Sequence, residues 1–563
     1  MLQKSNGGAF LIEDLPPEGI FTAEDLGEEH LAIARTVDDF WVRDVEPRLE
    51  AIRRQESGAV LEVLRKSAEL GLTGVTIPEE FGGMGMDLTS AMVVAEHLAR
   101  DGSYAVCHEV HTGIGTLPIL YFGTEEQKQR YLPKLVAAEL VAAYALSEAQ
   151  SGSDALAVRT RADLRPDGGH YLLNGQKMWI TNGGIADLFT VFAKVGGEKF
   201  TAFLVERGYA GVKTGAEEQK MGIKGSSTTA LYLDNVLVPV ENVLGEVGRG
   251  HVIAFNILNS GRLKIGVLTL GGAKHVLGLS LKYAKERKAF GSSIAEFGAI
   301  QHKLAEMAIR IYAAESMLWR AAGLIESHAG SAALQALEEY AVECSILKVY
   351  CSEVYDFAAD EGVQIHGGYG YHQDYDVERT YRDSRINRIY EGTNEINRLI
   401  IPSMLLKRAA RGRLALFTAA AAPEAAEDEE ASLVRRAKQI ALVTLDLVRQ
   451  RFQDETEKQQ EVLMSIADIV MEVFAMESSL LRSRKFAPGK GENAAGMCAV
   501  FLRDGLARVG ESARNVLGAC LEGAALHEQV TVLRRLTECD PVDAVRLRRA
   551  IAGRLLARER YVV

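Results

Sequence analysis

The sequence predicts an α+β protein of several domains: a helical N-terminal domain over 24–143, a middle antiparallel β domain over 144–250, a helical bundle over 251–410 and, past a linker at 419–430, an additional helical domain over 431–563. Three observations predict it. At 563 residues the chain exceeds one ordinary core and calls for two to four domains. Its apolar periodicity is helical at both ends and strand-like in the middle. A composition break at 419–430, AAAAPEAAEDEE, separates two helical regions as a linker or a frayed connection.

In chain order, Asp25 through Val45 reads as one helix and Ala59 to Leu70 as another, with Leu61, Leu64 and Ala68 on one face and Gly71 as the C-cap. A glycine-rich loop ends at Asp87, where a helix restarts. After Thr124, the residues Glu125, Glu126 and Gln127 fill a first helical turn. Then the period changes. Tyr171–Leu173 is a strand running into a turn at Asn174-Gly175; Phe189–Val195 and Phe200–Val205 flank Gly196-Gly197, and Thr228–Val236 has the same β-branched and aromatic character. Past Gly250 come three long helices, Val252 to Lys288, Phe297 to His328 and Ala332 to Val363. The third carries Leu337, Ala341, Cys344, Leu347, Cys351 and Val354 on one face, which suits a bundle completed by the helix after Glu395. Beyond the linker, Ile466, Val470, Val473 and Leu480 form one stripe, and Val545, Leu547, Ile551 and Leu555 another.

The apolar fraction of 47% and charged fraction of 25% are those of a globular protein, and a net charge of -12 argues against a nucleic-acid binder. Six cysteines without CxxC spacing read as buried thiols in a reducing compartment. The N-terminus has neither signal-peptide nor transit-peptide character, and no apolar run spans a bilayer, so a cytoplasmic protein is expected. Arg435, Arg436, Lys438, Arg482, Arg484 and Lys485 in the last region are either a solvated face or a docking surface for anionic lipid or a protein partner.

Several stretches have the composition of a site. Glu391, followed by Gly392 and Thr393 after a run of arginines, is either a loop charge or a base held against a substrate. YALSEAQSGSD (144–154) brings small residues and hydroxyls to the mouth of the β domain, where backbone N–H groups can approach a polar ring. KMWITNGG (177–184) sets Trp179 beside a hydroxyl and paired glycines, as a core cap or as part of a site. QIHGGYGY (364–371) follows a helix and is no GxGxxG fingerprint, although its glycines can admit a pyrophosphate. His366 has no GxSxG serine for company, and the absence of HExxH argues against a metal site.

Taken together with KMGIKGSS (220–227), YAKERKAFG (283–291) and RINRIYEGTNEINR (385–398), these segments resemble the acyl-CoA dehydrogenases in order and spacing over about residues 25–410. The additional helical region, ILNSGR (257–262) and VENVLGEVGRG (240–250) resemble the very-long-chain branch. The resemblance implies an acyl-CoA dehydrogenase-like fold with FAD between β domain and bundle. Leu146, Ser147, Gly152 and Ser153 would touch the flavin or the thioester; Trp179 would cover the flavin and Thr181 bond near its N5. Arg287 and Phe290, with Gln364, Gly367 and Gly368, would reach the FAD of a second subunit, and Thr393 and Asn394 would bind FAD from the catalytic side. Asn259 and Arg262 would flank the substrate. Glu391 matches the catalytic glutamate; branches that keep the base on the first bundle helix place it near Gly261, which cannot serve.

The chemistry explains the residue types. An α-proton is weakly acidic, so its base must be poised above the ~4.3 of a free glutamate and held in near-contact. In the family the charge on the thioester oxygen is met by the glutamate's backbone N–H and a ribityl hydroxyl, while FAD takes the hydride and trans-2-enoyl-CoA leaves. The implied substrate is a long-chain acyl-CoA: Gly113 and Gly115, on the helix from Tyr104 to Tyr121 that lines the family's cleft, leave room for a long tail or permit close packing. Medium- or branched-chain acyl-CoA, an oxygen-using oxidase, and an assembly protein with residual activity are the alternatives. The implied partners are electron transfer flavoprotein, as electron acceptor, and a second copy of the chain in a homodimer.

Overall fold

The computed structural model describes residues 5–329, 333–417, 428–486 and 491–563. Its backbone forms two compact units, one of Gly27–Gly272 with Arg382–Ile386 and one of the segment up to Leu26 with Ala273–Tyr381 and Asn387–Val563.

The first unit begins with helices α1 (Glu28–Phe40), α2 (Leu49–Arg53), α3 (Ala59–Glu69), α4 (Leu88–Leu98), α5 (Gly102–Val110), α6 (Leu117–Phe122) and α7 (Glu125–Val136). The helix expected from Asp25 to Val45 starts three residues later, after a 3₁₀ turn, and ends in a π-helical turn at Trp41–Val45. A second π turn, His111–Gly115, splits the helix expected from Tyr104 to Tyr121. Thr124 caps α7 reciprocally with Gln127: its Oγ1 accepts from Gln127 N at 3.2 Å and its N–H donates to Gln127 Oε1 at 3.1 Å.

The sheet has strands β1 (Ala142–Ala145), β2 (Arg161–Leu164), β3 (His170–Thr181), β4 (Leu188–Val195), β5 (Lys199–Glu206), β6 (Val212–Thr214), β7 (Thr228–Pro239) and β8 (Val243–Leu244) in the order β6-β7-β3-β2-β4-β5-β8, with β1 beside β4. It is antiparallel, as expected, except along one edge of β4. There β1 pairs in parallel with Leu188–Val191 and β2 with Lys194 and Val195. The chain thus runs along β4 twice in the same direction, leaving the sheet between the two passes; that excursion, 146–160, holds the serine-rich segment. The turn expected at Asn174-Gly175 is instead a register shift inside the long β3, bridged by Asn235 N donating to Asn174 Oδ1 at 2.9 Å. Both faces of β4 and β5 are buried. Leu188, Phe192, Ala202 and Leu204 pack with Leu132 and Leu135 of α7, while Phe189, Val191, Phe203 and Val205 pack with Leu231 and Leu233 of β7. That double burial explains their unbroken apolar runs.

Helix α8 (Gly250–Glu286) carries the chain from the first unit into the second. There follow a hairpin of β9 (Lys288–Ala289) and β10 (Ser292–Ser293), then α9 (Gly298–Ala329), α10 (Ala333–Glu339), α11 (Ala341–His366), α12 (Asp376–Ser384) and α13 (Asn394–Ala410). The helix expected from Ala332 to Val363 breaks at Tyr340, whose hydroxyl donates to Ser5 O at 2.5 Å. Helices α14 (Glu429–Phe452), α15 (Gln460–Lys485), α16 (Glu492–Cys520), α17 (Gly523–Thr537) and α18 (Ala544–Arg558) complete the unit. Most of the expected linker lies outside the described residues. Its last three residues do not belong to a linker: Asp428 caps α14, accepting from Ala431 N at 2.9 Å, and Glu429 and Glu430 form the first turn. The stripe on α15 is buried as expected, and Ile551 and Leu555 on α18 are too, but Val545 faces solvent.

The N-terminal segment straps this unit together. Gly7 N donates to Glu339 and Gly8 N to Glu343, at 2.9 and 2.7 Å, and Phe10 packs on Phe474 with ring centres 4.7 Å apart. The basic residues read as either a solvated face or a docking surface are paired within this unit, Lys438 and Arg482 in its interior. Lys438 binds Glu13 O, Asp14 and Glu477; Arg482 binds Glu24 and Glu315; Lys485 binds Ile20 O and Asp25. Arg435 pairs with Asp14, Arg436 with Glu429 and Arg484 with Asp428. No helix among the described residues is long and apolar enough to cross a membrane.

Candidate functional site

In the first unit the site is built where the chain leaves β1. Leu146 is buried, Ser147 half-buried, and Gly152 and Ser153 lie exposed in the excursion. One buried carboxylate holds this loop. Glu148 accepts from Arg159 N at 2.6 Å, from Thr160 N at 3.0 Å and from Thr160 Oγ1 at 2.5 Å. Lys177 of β3 donates to Glu148 at 2.7 Å and to Leu146 O at 3.1 Å. Burial draws the Lys177 ammonium down to about 8 against the pull of Glu148. Burial opposes ionisation of Glu148 as well, but Lys177 and the donors around it hold its carboxyl below the usual range.

Just beyond Lys177 the register of β3 against β7 shifts a second time, and Trp179 takes φ 62° within the shift. A positive φ is strained for a tryptophan, and the bulge turns its ring outward, 57% exposed. Trp179 is therefore no core cap. Thr181 ends β3 opposite Thr228, and Met178 N donates to Ser147 O at 2.9 Å, tying this strand to the loop. On α8, Arg262 donates to Asn259 Oδ1 at 2.9 Å, and both are buried.

In the second unit Glu391 lies half-buried between Tyr390 and Gly392 with φ 56°, again left-handed for a residue with a side chain. Its loop is held from below. Asn397, fully buried, donates to Gly392 O at 2.8 Å and Thr393 O at 3.1 Å, and Thr393 caps α13 by accepting from Ile396 N at 3.2 Å. Lys348 of α11 donates to Gly392 O and to Asn394 Oδ1, each at 2.7 Å. The Asn394 side chain points inward and is spent on Lys348, Ser352 and Glu353. Elsewhere in this unit Phe290, at the tip of the β9–β10 hairpin, is 98% exposed, and Arg287 lies over the Tyr369 ring. Gln364, Gly367 and Gly368 are exposed, and a Cβ on either glycine would meet nothing within 4 Å. His366 is structural. Its ring stacks on Tyr283 at 4.0 Å, its Nδ1–H donates to Gly362 O at 2.7 Å, and burial lowers its pKa from the usual imidazole value.

The sequence matches the acyl-CoA dehydrogenase N-terminal domain over 27–139, the middle domain over 143–236 and two C-terminal domain families over 248–406 and 436–535. A Bacillus subtilis (strain 168) protein named "Probable acyl-CoA dehydrogenase" is 45% identical over 99% of this chain and 98% of its own length. The chain belongs to the acyl-CoA dehydrogenase family. The crystal structure of an acyl-CoA dehydrogenase complexed with FAD from Bacillus anthracis superposes with a TM-score of 0.97 at 46% identity, covering 99% of this chain and all of that one. The human mitochondrial very long-chain specific enzyme is 43% identical over 59% of this chain and 51% of its own length. As an acyl-CoA dehydrogenase, the chain is an FAD-dependent oxidoreductase with an extra C-terminal domain.

The residues present fit that cofactor in each unit taken by itself. The first presents an exposed indole on strained backbone beside hydroxyls; the second presents a bare aromatic, an arginine and two open glycines. Sequence reasoning passed over Glu148, Lys177, Lys348 and Asn397. Two of them left a signal: Lys177 falls on the inward phase of β3 with Tyr171 and Leu173, and Lys348 sits among Ile346, Leu347 and Val349, positions where a cation needs a buried partner.

Proposed function

We propose that this acyl-CoA dehydrogenase converts long-chain acyl-CoA to trans-2-enoyl-CoA, with Glu391 as the base that takes the α-proton. The observation that carries the assignment is the conformation of Glu391: a strained φ of 56° in a loop clamped by Asn397 and Lys348, in the family's glutamate position. Strain maintained by buried hydrogen bonds marks a side chain aimed rather than left to solvent. The α C–H bond breaks toward the Glu391 carboxylate, the β-carbon loses hydride, and the electron pair left behind closes the double bond. FAD, when bound, supplies the hydride acceptor. In the first unit Leu146, Ser147, Gly152, Ser153, Trp179 and Thr181 serve the flavin and thioester, and Asn259 and Arg262 the substrate; in the second, Thr393 and the backbone of Asn394 serve the flavin.

Arg287, Phe290, Gln364, Gly367 and Gly368 serve the FAD of a second copy, so the working form is a homodimer that passes electrons to electron transfer flavoprotein. The exposure of Phe290 supports this, since folding alone gives no reason to bare it. Light scattering tests the dimer, and a stable tetramer would contradict it.

The long-chain preference rests on the extra domain and the likeness to the very-long-chain branch. The two cleft-helix glycines do not add to it. A Cβ on Gly115 would come within 2.8 Å of Ala142 Cβ, and one on Gly113 within 3.2 Å of the Lys264 side chain, so both serve close packing. Anaerobic mixing with acyl-CoA of four to eighteen carbons, following the flavin spectrum, tests reaction and length together. A maximum at eight carbons or below would sink the long-chain reading. Glu391→Gln should keep FAD and lose flavin reduction.

A further inference from the structure

The additional C-terminal domain has a direct line to the catalytic loop. Asn394, three residues past Glu391, donates from Nδ2 to Glu353 Oε1 at 3.1 Å. Arg398, one helical turn further along α13, grips the same carboxylate with both ends of its fork, Nη1 to Oε1 at 2.6 Å and Nη2 to Oε2 at 2.9 Å. The remaining edge of that guanidinium, Nε, donates to Asp468 Oδ1 at 2.8 Å. Asp468 is on α15, within the segment 436–535 that matches the extra domain. Planar bidentate pairing fixes orientation as well as position, so the three carboxylate contacts set the plane of the Arg398 guanidinium. Glu353 inherits that setting, and so does Asn394, which shares the acceptor Oε1.

Beside this chain of contacts lies a cavity of about 320 Å³, lined by Glu353, Arg398 and Asp468 and also by Tyr350, Glu472 and Arg508. The cavity leaves one side of the Arg398 side chain unpacked, so the orientation of its guanidinium depends strongly on its carboxylate partners. Glu472 is a built-in control. It lines the same cavity, pairs with Arg508 at 2.8 Å and reaches Asp468 only through space; among the described residues no hydrogen bond of that pair leads to the Glu391 loop.

We propose that Asp468, contributed by the additional domain, is a positioning residue for Glu391, acting through Arg398, Glu353 and Asn394. The proposal rests on reading Glu391 as the base. It makes the extra domain part of the active-site support and gives a reason for the domain to be retained beyond assembly.

The test compares full-length, FAD-loaded wild type with Asp468→Asn, Asp468→Glu and Glu472→Gln. Each is mixed anaerobically with the acyl-CoA that reduces wild type fastest, and FAD content and Tm are measured in parallel. Asp468→Asn should lower the limiting rate of flavin reduction at least fivefold while the apparent Kd for acyl-CoA stays within twofold. Asp468→Glu should recover part of the loss, and Glu472→Gln should reduce at the wild-type rate. Wild-type kinetics in Asp468→Asn, or an equal slowing in Glu472→Gln, would overturn the positioning role. A wild type that no acyl-CoA reduces would overturn the reading of Glu391, and the positioning role with it; unaffected Asp468→Asn beside an active wild type overturns the positioning role alone.

Discussion

The Lys348 ammonium lies 2.7 Å from Asn394 Oδ1, in a side chain with no exposure to solvent, and the same nitrogen holds the carbonyl of Gly392. A buried cation is tolerated only where partners replace its water. Here the partners are the backbone just past Glu391 and the amide that connects to Glu353. Lys348→Met keeps the apolar stem and removes the donor. Leaving these buried acceptors short of a partner should destabilise the protein by about 2–4 kcal/mol, measured by urea unfolding. Flavin reduction by acyl-CoA should slow at least tenfold in the protein that remains folded. A folded variant with unchanged kinetics would separate Lys348 from the proposed role of the Glu391 loop.

Much of this was legible in the amino-acid order, for an identifiable reason. The apolar, β-branched and aromatic runs of β4 and β5, the Thr124 cap and the long bundle helices are local signals, and local physics produced them. The strain at Trp179 and Glu391 was not legible, because a left-handed φ on a residue with a side chain goes against its propensity and is imposed by surrounding hydrogen bonds. Nor was the fate of Lys438 and Arg482, whose partners Asp14 and Glu24 lie more than four hundred residues earlier in the chain. Viewed along the chain those cations look like a surface; only the fold brings the strap to them.

The strap makes its own prediction. Gly8 has φ 82°, and a Cβ there would fall 2.5 Å from Leu405 Cδ2. Gly58 has nearly the same φ, 80°, with nothing within 4 Å of the added carbon. Gly58→Ala should therefore cost only the backbone strain, on the order of 1 kcal/mol. Gly8→Ala should cost more, because Leu405 must also move. Equal losses in denaturant midpoint would mean that the strap is not seated as tightly as the close approach requires.

Acid stability in the first unit should fall in two stages. Burial lowers His111 to about 4, and its ring is fixed as the Nε2–H tautomer, donating to Leu135 O at 2.9 Å while Nδ1 accepts from Ala142 N at 3.2 Å. The His111 ring is faced by His108 and Lys264, both of which also disfavour its charging. Between an unfolded pKa near ~6.5 and the folded value, the unfolded chain binds the extra proton, so stability drops as pH falls through that window. Glu109 follows lower down. Burial works against its ionisation, but Lys264 at 2.8 Å and His108 bring it to about 2, so its contribution is lost as pH falls below about 4.5. Tm measured from pH 7 to pH 3 should decline across both windows, and His111→Gln should flatten the upper one. An unchanged upper limb in that variant would assign it to another group.

The Glu148–Lys177 pair invites a double-mutant cycle. Glu148→Gln leaves a buried ammonium facing a neutral amide, which should cost roughly 3–5 kcal/mol. Lys177→Met alone strands the carboxylate, although Thr160 and Arg159 N still bind it, so the loss should be smaller. Because the residues are in direct contact, the combined variant should lose less than the sum of the two. FAD affinity should fall in every variant that unpins the loop, since Ser147 is joined to Met178, the neighbour of Trp179, at 2.9 Å. Additive stability losses with unchanged FAD affinity would show that the pair neither couples the 146–160 loop to β3 nor shapes a flavin site there.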